Sequence, residues 1–263
     1  MLLDTKTVIL PTGEQIFDSH AHYDDEVFDN DRDELMEQMF RSNVCGIINC
    51  GSSVESSRKS VELARRYSNF FAAVGVHPAS ADRYDEAALV EMLDNGGRAV
   101  ANGEIGLDYH WDTVPRDIQR QAFEKQILLA KELDFPIIVH DREAHADTLE
   151  LLCKHRPRGV VHCFSGSVEM AEQVIKLGMY IGIGGVLTFK NARRLREVAE
   201  AVPLDRILLE TDAPYMAPEP YRGHRCNSAM ISFVADKLAE IKGISRAEVL
   251  RVTRQNVRDL FGV

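Results

Sequence analysis

What most limits the shapes open to this chain is a repeated alternation. Short β-branched or apolar runs at 15–18, 46–50, 71–76, 99–103, 137–140, 160–162, 180–182 and 207–210 are each followed by a longer stretch of helical spacing. Those stretches lie near 31–42, 54–67, 85–94, 116–133, 143–154, 168–177, 191–201 and 227–241, with a last one near 245–260. Strands separated by crossover helices pair in parallel with right-handed connections. Eight such units in 263 residues close most economically into one α/β structure, a (β/α)8 TIM barrel. An open doubly wound sheet is the competing arrangement, but neither a GxGxxG nor a P-loop follows the first strand. No linker or repeat divides the chain. Residues 16–263 therefore read as a single domain behind a short N-terminal extension, 1–15, where Pro11-Thr12-Gly13 is a turn able to join two small edge strands.

Barrels of this kind gather their reactive residues at the C-terminal ends of the strands. The first strand runs into Asp18-Ser19-His20-Ala21-His22. Side chains alternate with period two, so His20 and His22 point the same way. The fourth strand leads into Gly103-Glu104-Ile105-Gly106-Leu107-Asp108, the fifth ends at His140-Asp141, the sixth at His162-Cys163 and the eighth at Glu210-Thr211-Asp212. Four histidines and two carboxylates then surround one mouth. Imidazole with carboxylate suits Zn²⁺ or Mn²⁺, while Mg²⁺ prefers a shell richer in oxygen. Six side chains are too many for one catalytic ion that keeps an open position. They fit two divalent ions: His20, His22 and Asp212 on one, His140 and His162 on the other, and Glu104 bridging. With two carboxylates and one hydroxide such a pair keeps about one net positive charge, suited to a substrate whose negative charge grows during hydrolysis. Asp212 is also placed to take the proton of the attacking water.

Composition narrows the substrate. The net charge is −10, with 41 acidic against 31 basic residues, and such a surface repels long nucleic-acid backbones. Phosphate chemistry here has to be local to a pocket. Lys190, Arg222 and Arg225 are candidate phosphate clamps, or else solvated surface charge. Ser165 and Gly166 open the sixth helix, where free N–H groups hold a phosphate oxygen or Ser165 acts as a plain cap. Asp108 and Glu210 stand close to presumptive ligands and are candidates to orient them, Asp108 alternatively binding Arg222 or Arg225. Tyr109 and Trp111 either stack bases or pack the rim. His110, His145, His155 and His224 read as loop or helix surface. The five cysteines, an odd and scattered set without a CxxC, read as small buried residues with reduced thiols, which points to the cytoplasm. No secretion signal or bilayer-spanning run is visible, and nothing calls for an obligatory protein partner.

Five motifs occur in order: Asp18-Ser19-His20-Ala21-His22, Gly75-Val76-His77-Pro78, Gly103-Glu104-Ile105-Gly106-Leu107-Asp108-Tyr109, His162-Cys163-Phe164-Ser165-Gly166 and Glu210-Thr211-Asp212-Ala213-Pro214. Together they resemble the TatD family of metal-dependent deoxyribonucleases, within the amidohydrolase-like barrels. The resemblance runs from about Phe17 to the C-terminus and implies a TIM barrel, a two-metal hydrolase and 3′-to-5′ exonuclease action on DNA. It agrees with the six ligands above. It also makes His77 a phosphate contact or leaving-group proton donor, the alternative being a packed histidine. One departure is Cys226-Asn227-Ser228, where many members carry Asn-Glu-Pro, at a loop expected to reach the pocket rim. The expected substrate is a single-stranded or frayed DNA end, with Mg²⁺, Mn²⁺ or Zn²⁺ as cofactor. A two-metal hydrolase of an ester or amide, including an aminoacyl-tRNA ester, is the alternative; the acidic balance counts against a non-enzymatic nucleic-acid binder.

Overall fold

Strands β1 (Ile16–Ala21), β2 (Val44–Cys50), β3 (Phe70–Val74), β4 (Ala99–Asp108), β5 (Ile137–Arg142), β6 (Gly159–Val161), β7 (Tyr180–Ile183) and β8 (Ile207–Leu209) form one sheet in sequence order. Every neighbouring pair is parallel. This is a computed structural model, and it describes residues 14–95 and 98–263. The turn expected at Pro11-Thr12-Gly13 lies outside those residues. Helices α1 (Arg32–Arg41), α2 (Val54–Arg66), α3 (Glu86–Asn95), α4 (Arg116–Glu132), α5 (His145–His155), α6 (Val168–Lys176) and α7 (Arg193–Ala201) alternate with the strands, and α8 (Ile231–Lys242) and α9 (Arg246–Phe261) follow β8. The strands are covered on both faces, which is why they read as nearly unbroken apolar runs.

Closure happens at the mouth. Asp212 N–H donates to the His20 carbonyl at 2.9 Å, His22 N–H donates to the Ala213 carbonyl at 2.7 Å, and Ala21 bridges Ala213 in parallel. At the strand starts, Phe17 and Tyr180 pack in one cluster with Val257, Leu260 and Phe261 of α9, which stoppers that end. Each fully buried side chain of this size contributes roughly 1.5–3 kcal/mol.

Asp18 holds the seam from beneath. Wholly buried, it accepts from the backbone N–H of His20 (3.2 Å) and of Thr211 (3.1 Å), and from the hydroxyls of Thr211 and Ser228 (both 2.6 Å). Burial lifts its carboxyl to about 6 despite those four donors. Asp18→Ala leaves them without an acceptor and is expected to cost about 2–4 kcal/mol, read as a lower midpoint in denaturant unfolding at unchanged slope.

Two element boundaries and the exposure of two side chains differ from expectation. β4 runs ten residues, carrying Glu104 and Asp108 inside the strand, because the neighbouring β5 also continues past His140 and keeps pairing with it. The helix expected at 227–241 splits into a 3-10 turn, Ser228–Met230, capped by Asn227, and then α8. His155 is mostly covered, bonded to Glu124 at 2.7 Å, rather than free surface. Among the cysteines, Cys50 and Cys226 are buried as expected, but Cys153 is exposed on α5.

Candidate active site

At the strand ends, one carboxylate faces two sets of imidazoles. Glu104 Oε2 lies 3.6 Å from His20 Nε2 and 3.4 Å from His22 Nε2, while its Oε1 lies 2.8 Å from both His140 Nδ1 and His162 Nε2. Asp212 Oδ1 stands 3.3 Å from His22 Nε2 and 3.7 Å from His20 Nε2, on the first set's side. The Nε2 atoms of His20 and His22 are themselves 3.0 Å apart, and the His20 and His162 rings stack at 3.9 Å. Nitrogen lone pairs and carboxylate oxygens that converge this closely in a buried place fit a divalent cation. Three donor groups lie within 4.8 Å internally: His20, His22 and Glu104; His20, His162 and Asp212; His77, Glu104 and His140.

The far sides of the His20, His22 and His140 rings are also held, which decides the nitrogen that faces the centre. His22 donates from Nδ1 to the Cys50 carbonyl at 2.8 Å, so Nε2 faces the centre. His20 Nδ1 meets Cys50 Sγ at 3.3 Å. His140 Nε2 is 3.0 Å from Asp108 Oδ2, so Nδ1 turns inward. Gly106, with φ at +146°, permits this approach, since a Cβ there would sit 2.0 Å from the His140 carbonyl oxygen. His162 Nδ1 has no hydrogen-bond partner among the described residues, nor has Glu210 Oε2, and Glu210 Oε1 stands 4.0 Å from that Nδ1. Glu210 fits there because Gly182 has no side chain: a Cβ would lie 2.2 Å from Oε2. Asp108→Asn removes the anion behind His140 and is expected to weaken divalent-ion affinity about 10- to 100-fold, measured by calorimetric titration.

Burial and neighbours split the imidazoles. Burial opposes the charge on His22, but Asp212 and Glu104 outweigh it and push this group up to about 10. His140, buried but paired with Asp108 and Glu104, rises to about 9. Burial together with His162 brings His20 down to about 4. Burial would lift Glu104, yet His162, His77 and His140 hold it well below the usual carboxylate range. Burial pushes Glu210 up to about 8.

A sequence model of TatD related DNases matches residues 17–262. The chain belongs to that family. TatD membership makes it a metal-dependent hydrolase, and the clustered imidazoles are where such chemistry belongs. It is 38% identical over 253 residues to the uncharacterized metal-dependent hydrolase YabD of Bacillus subtilis, covering 94% of this chain and 99% of that one. The 3′-5′ ssDNA/RNA exonuclease TatD of Cronobacter sakazakii is 34% identical over 257 residues, with 94% and 97% covered. The crystal structure of YjjV, a TatD homolog of Escherichia coli K12, superposes with a TM-score of 0.87 at 31% identity, over 94% and 98% of the two chains.

All six expected ligands of this TatD-family barrel meet at the mouth, and the further candidates divide. His77 caps the 3-10 turn Pro78–Arg83, its Nδ1 accepting the Ala79 N–H at 3.1 Å, and its Nε2 lies 3.8 Å from Glu104 Oε1. Ser165 is exposed but does not begin α6; Ser167 caps that helix, accepting from Met170 N–H at 3.3 Å. Arg225 is not a free clamp. It pairs with both oxygens of Asp31 at 2.9 and 2.5 Å and donates to the Val27 carbonyl. Arg222 is exposed and lies over the Phe189 ring at 4.3 Å; Lys190 is exposed, and neither makes an ion pair among the described residues. Asp108 binds His140 and neither arginine. Cys50, dismissed by sequence as a small core residue, touches two of the histidines. Its place at the end of β2, level with the His20–His22 fork, is the signal that would have found it.

Proposed function

We propose that this chain removes nucleotides from single-stranded or frayed DNA ends in the 3′-to-5′ direction, in the cytoplasm, with two divalent ions at the barrel mouth. The observation that carries the reading is the division of Glu104, one oxygen toward His20 and His22 and the other toward His140 and His162. His20, His22 and Asp212 would hold one ion, His140 and His162 the other, and Glu104 would span both. The imidazole share favours Zn²⁺ or Mn²⁺ over Mg²⁺. Bound there, such ions supply Lewis acidity and a water acidic enough to act as nucleophile near neutral pH.

The side chains do the remainder. Asp212, next to His22, accepts the proton of the attacking water at its carboxylate. His77 spends Nδ1 on the Ala79 N–H, so the proton of its neutral ring sits on Nε2, aimed at the centre. It therefore serves as a hydrogen-bond donor to a phosphate oxygen. Exposed Lys190 and Arg222 reach outlying phosphates, with Ser165 at the same rim. A net charge of −10 disfavours wrapping long duplex, which agrees with attack at ends.

The test is release of nucleotides from single-stranded DNA labelled at either end, with Mg²⁺, Mn²⁺ or Zn²⁺, beside a panel of esters and amides. Early release of the 3′ nucleotide is expected. No cleavage of DNA by metal-loaded protein, or turnover confined to the panel, removes the proposal.

A further inference from the structure

Trp111 is the one tryptophan in the chain, and the residue is 64% exposed. It is exposed but not loose. The Arg142 guanidinium lies 5.4 Å from the ring centroid, and His110 meets it edge-on at 4.9 Å, itself bonded to Glu143 at 2.8 Å. The backbone is tied to the catalytic mouth by a single carboxylate. Asp108 Oδ1 accepts the N–H of His110 (2.9 Å) and of Trp111 (3.2 Å), while Oδ2 of the same group holds His140 at 3.0 Å. Trp111 thus stands two hydrogen bonds from a presumptive ligand. Arg142, two residues past His140 at the end of β5, makes no ion pair among the described residues. Tyr109, the other aromatic here, is already engaged. Arg116 lies over it at 4.3 Å, and its hydroxyl donates to Asp147 at 2.6 Å.

From this arrangement we infer that Trp111 is the platform on which a nucleobase beside the scissile phosphate stacks, with Arg142 taking an adjoining phosphate. The inference rests on the phosphodiesterase reading above and adds the means by which ends are selected. Every base has a π face, so the platform tolerates any sequence. A base within a duplex is already stacked on its neighbours and has to be released first, so unpaired ends are preferred.

The experiment uses the full-length protein with two substrates of equal length, oligo(dT) and a strand of abasic residues carrying the same phosphates. With divalent metal, the wild-type preference for oligo(dT), read as the ratio of kcat/KM values, is expected to fall about 10- to 100-fold in Trp111→Ala, mostly through KM. Trp111→Phe, which keeps a ring, retains most of the preference. In chelated wild-type protein, where no turnover occurs, oligo(dT) quenches the single tryptophan's fluorescence and the abasic strand does so far less. An unchanged preference in Trp111→Ala, or equal quenching by both strands, overturns the platform. If neither strand is cut by metal-loaded protein, the phosphodiesterase reading falls, and the quenching comparison decides the platform independently.

Discussion

Glu104→Ala is expected to lower kcat/KM on single-stranded DNA by about a thousandfold or more while the barrel stays folded. Glu104 is buried, and its two oxygens lie within 4 Å of all four histidines of both sets. Removing it leaves four histidines around an uncompensated space, so in the proposed two-ion arrangement the His140–His162 ion would lose its anionic support and the other would lose half of its own. If the proposed pair of ions is bound in the wild type, elemental analysis should find two per chain there and one or none in the variant. Circular dichroism should be unchanged, since β4 is held by its backbone ladder to β5 and not by this side chain. Glu104→Gln preserves the shape without the charge and should fall between the two. Two ions and full activity in the alanine variant would remove the bridge from the mechanism.

Chelation and pH form the second large effect. Ligands have to be deprotonated before they take a metal ion. His22 sits near 10 and His140 near 9 in the metal-free protein, so an incoming ion displaces protons from both. Metal affinity should therefore weaken as pH falls below about 9, by up to about tenfold per unit for each proton released. An ion present at a hundredfold excess over its Kd stabilises the fold by about 2.7 kcal/mol, about 5–10 °C in Tm for a chain of this length. That shift should shrink between pH 8 and pH 6. The metal-free protein runs the other way: groups lifted from an ordinary 6.5 stabilise it fully below that value and lose their contribution as pH rises through 9 to 10. A metal-induced shift that grows on acidification would contradict the ligand assignment.

The convergence of the candidate ligands was legible because barrel geometry turns strand order into spatial order. Once the runs before His20, Glu104, His140, His162 and Asp212 read as consecutive parallel strands, their ends had to meet. What stayed hidden depends on partners far along the chain. Arg225 looked available until Asp31, 194 positions earlier, was found to hold it. Ser165 and Ser167 are both credible caps, and spacing alone does not choose between them. Spacing is likewise silent on which imidazole nitrogen turns inward, since for His20, His22 and His140 that is set by Cys50 and Asp108. Trp111 stands exposed rather than packed into the rim, and no local pattern reports exposure of one indole.

The seam between β1 and β8 has a bearing on biosynthesis. Because His20 and Asp212 come from opposite ends of the polypeptide and are joined at the mouth by a backbone bond, no partial product emerging from the ribosome carries a complete centre. A growing polypeptide beside its own messenger would remain catalytically inert until the final strand docks, so translation itself times the arming of the nuclease.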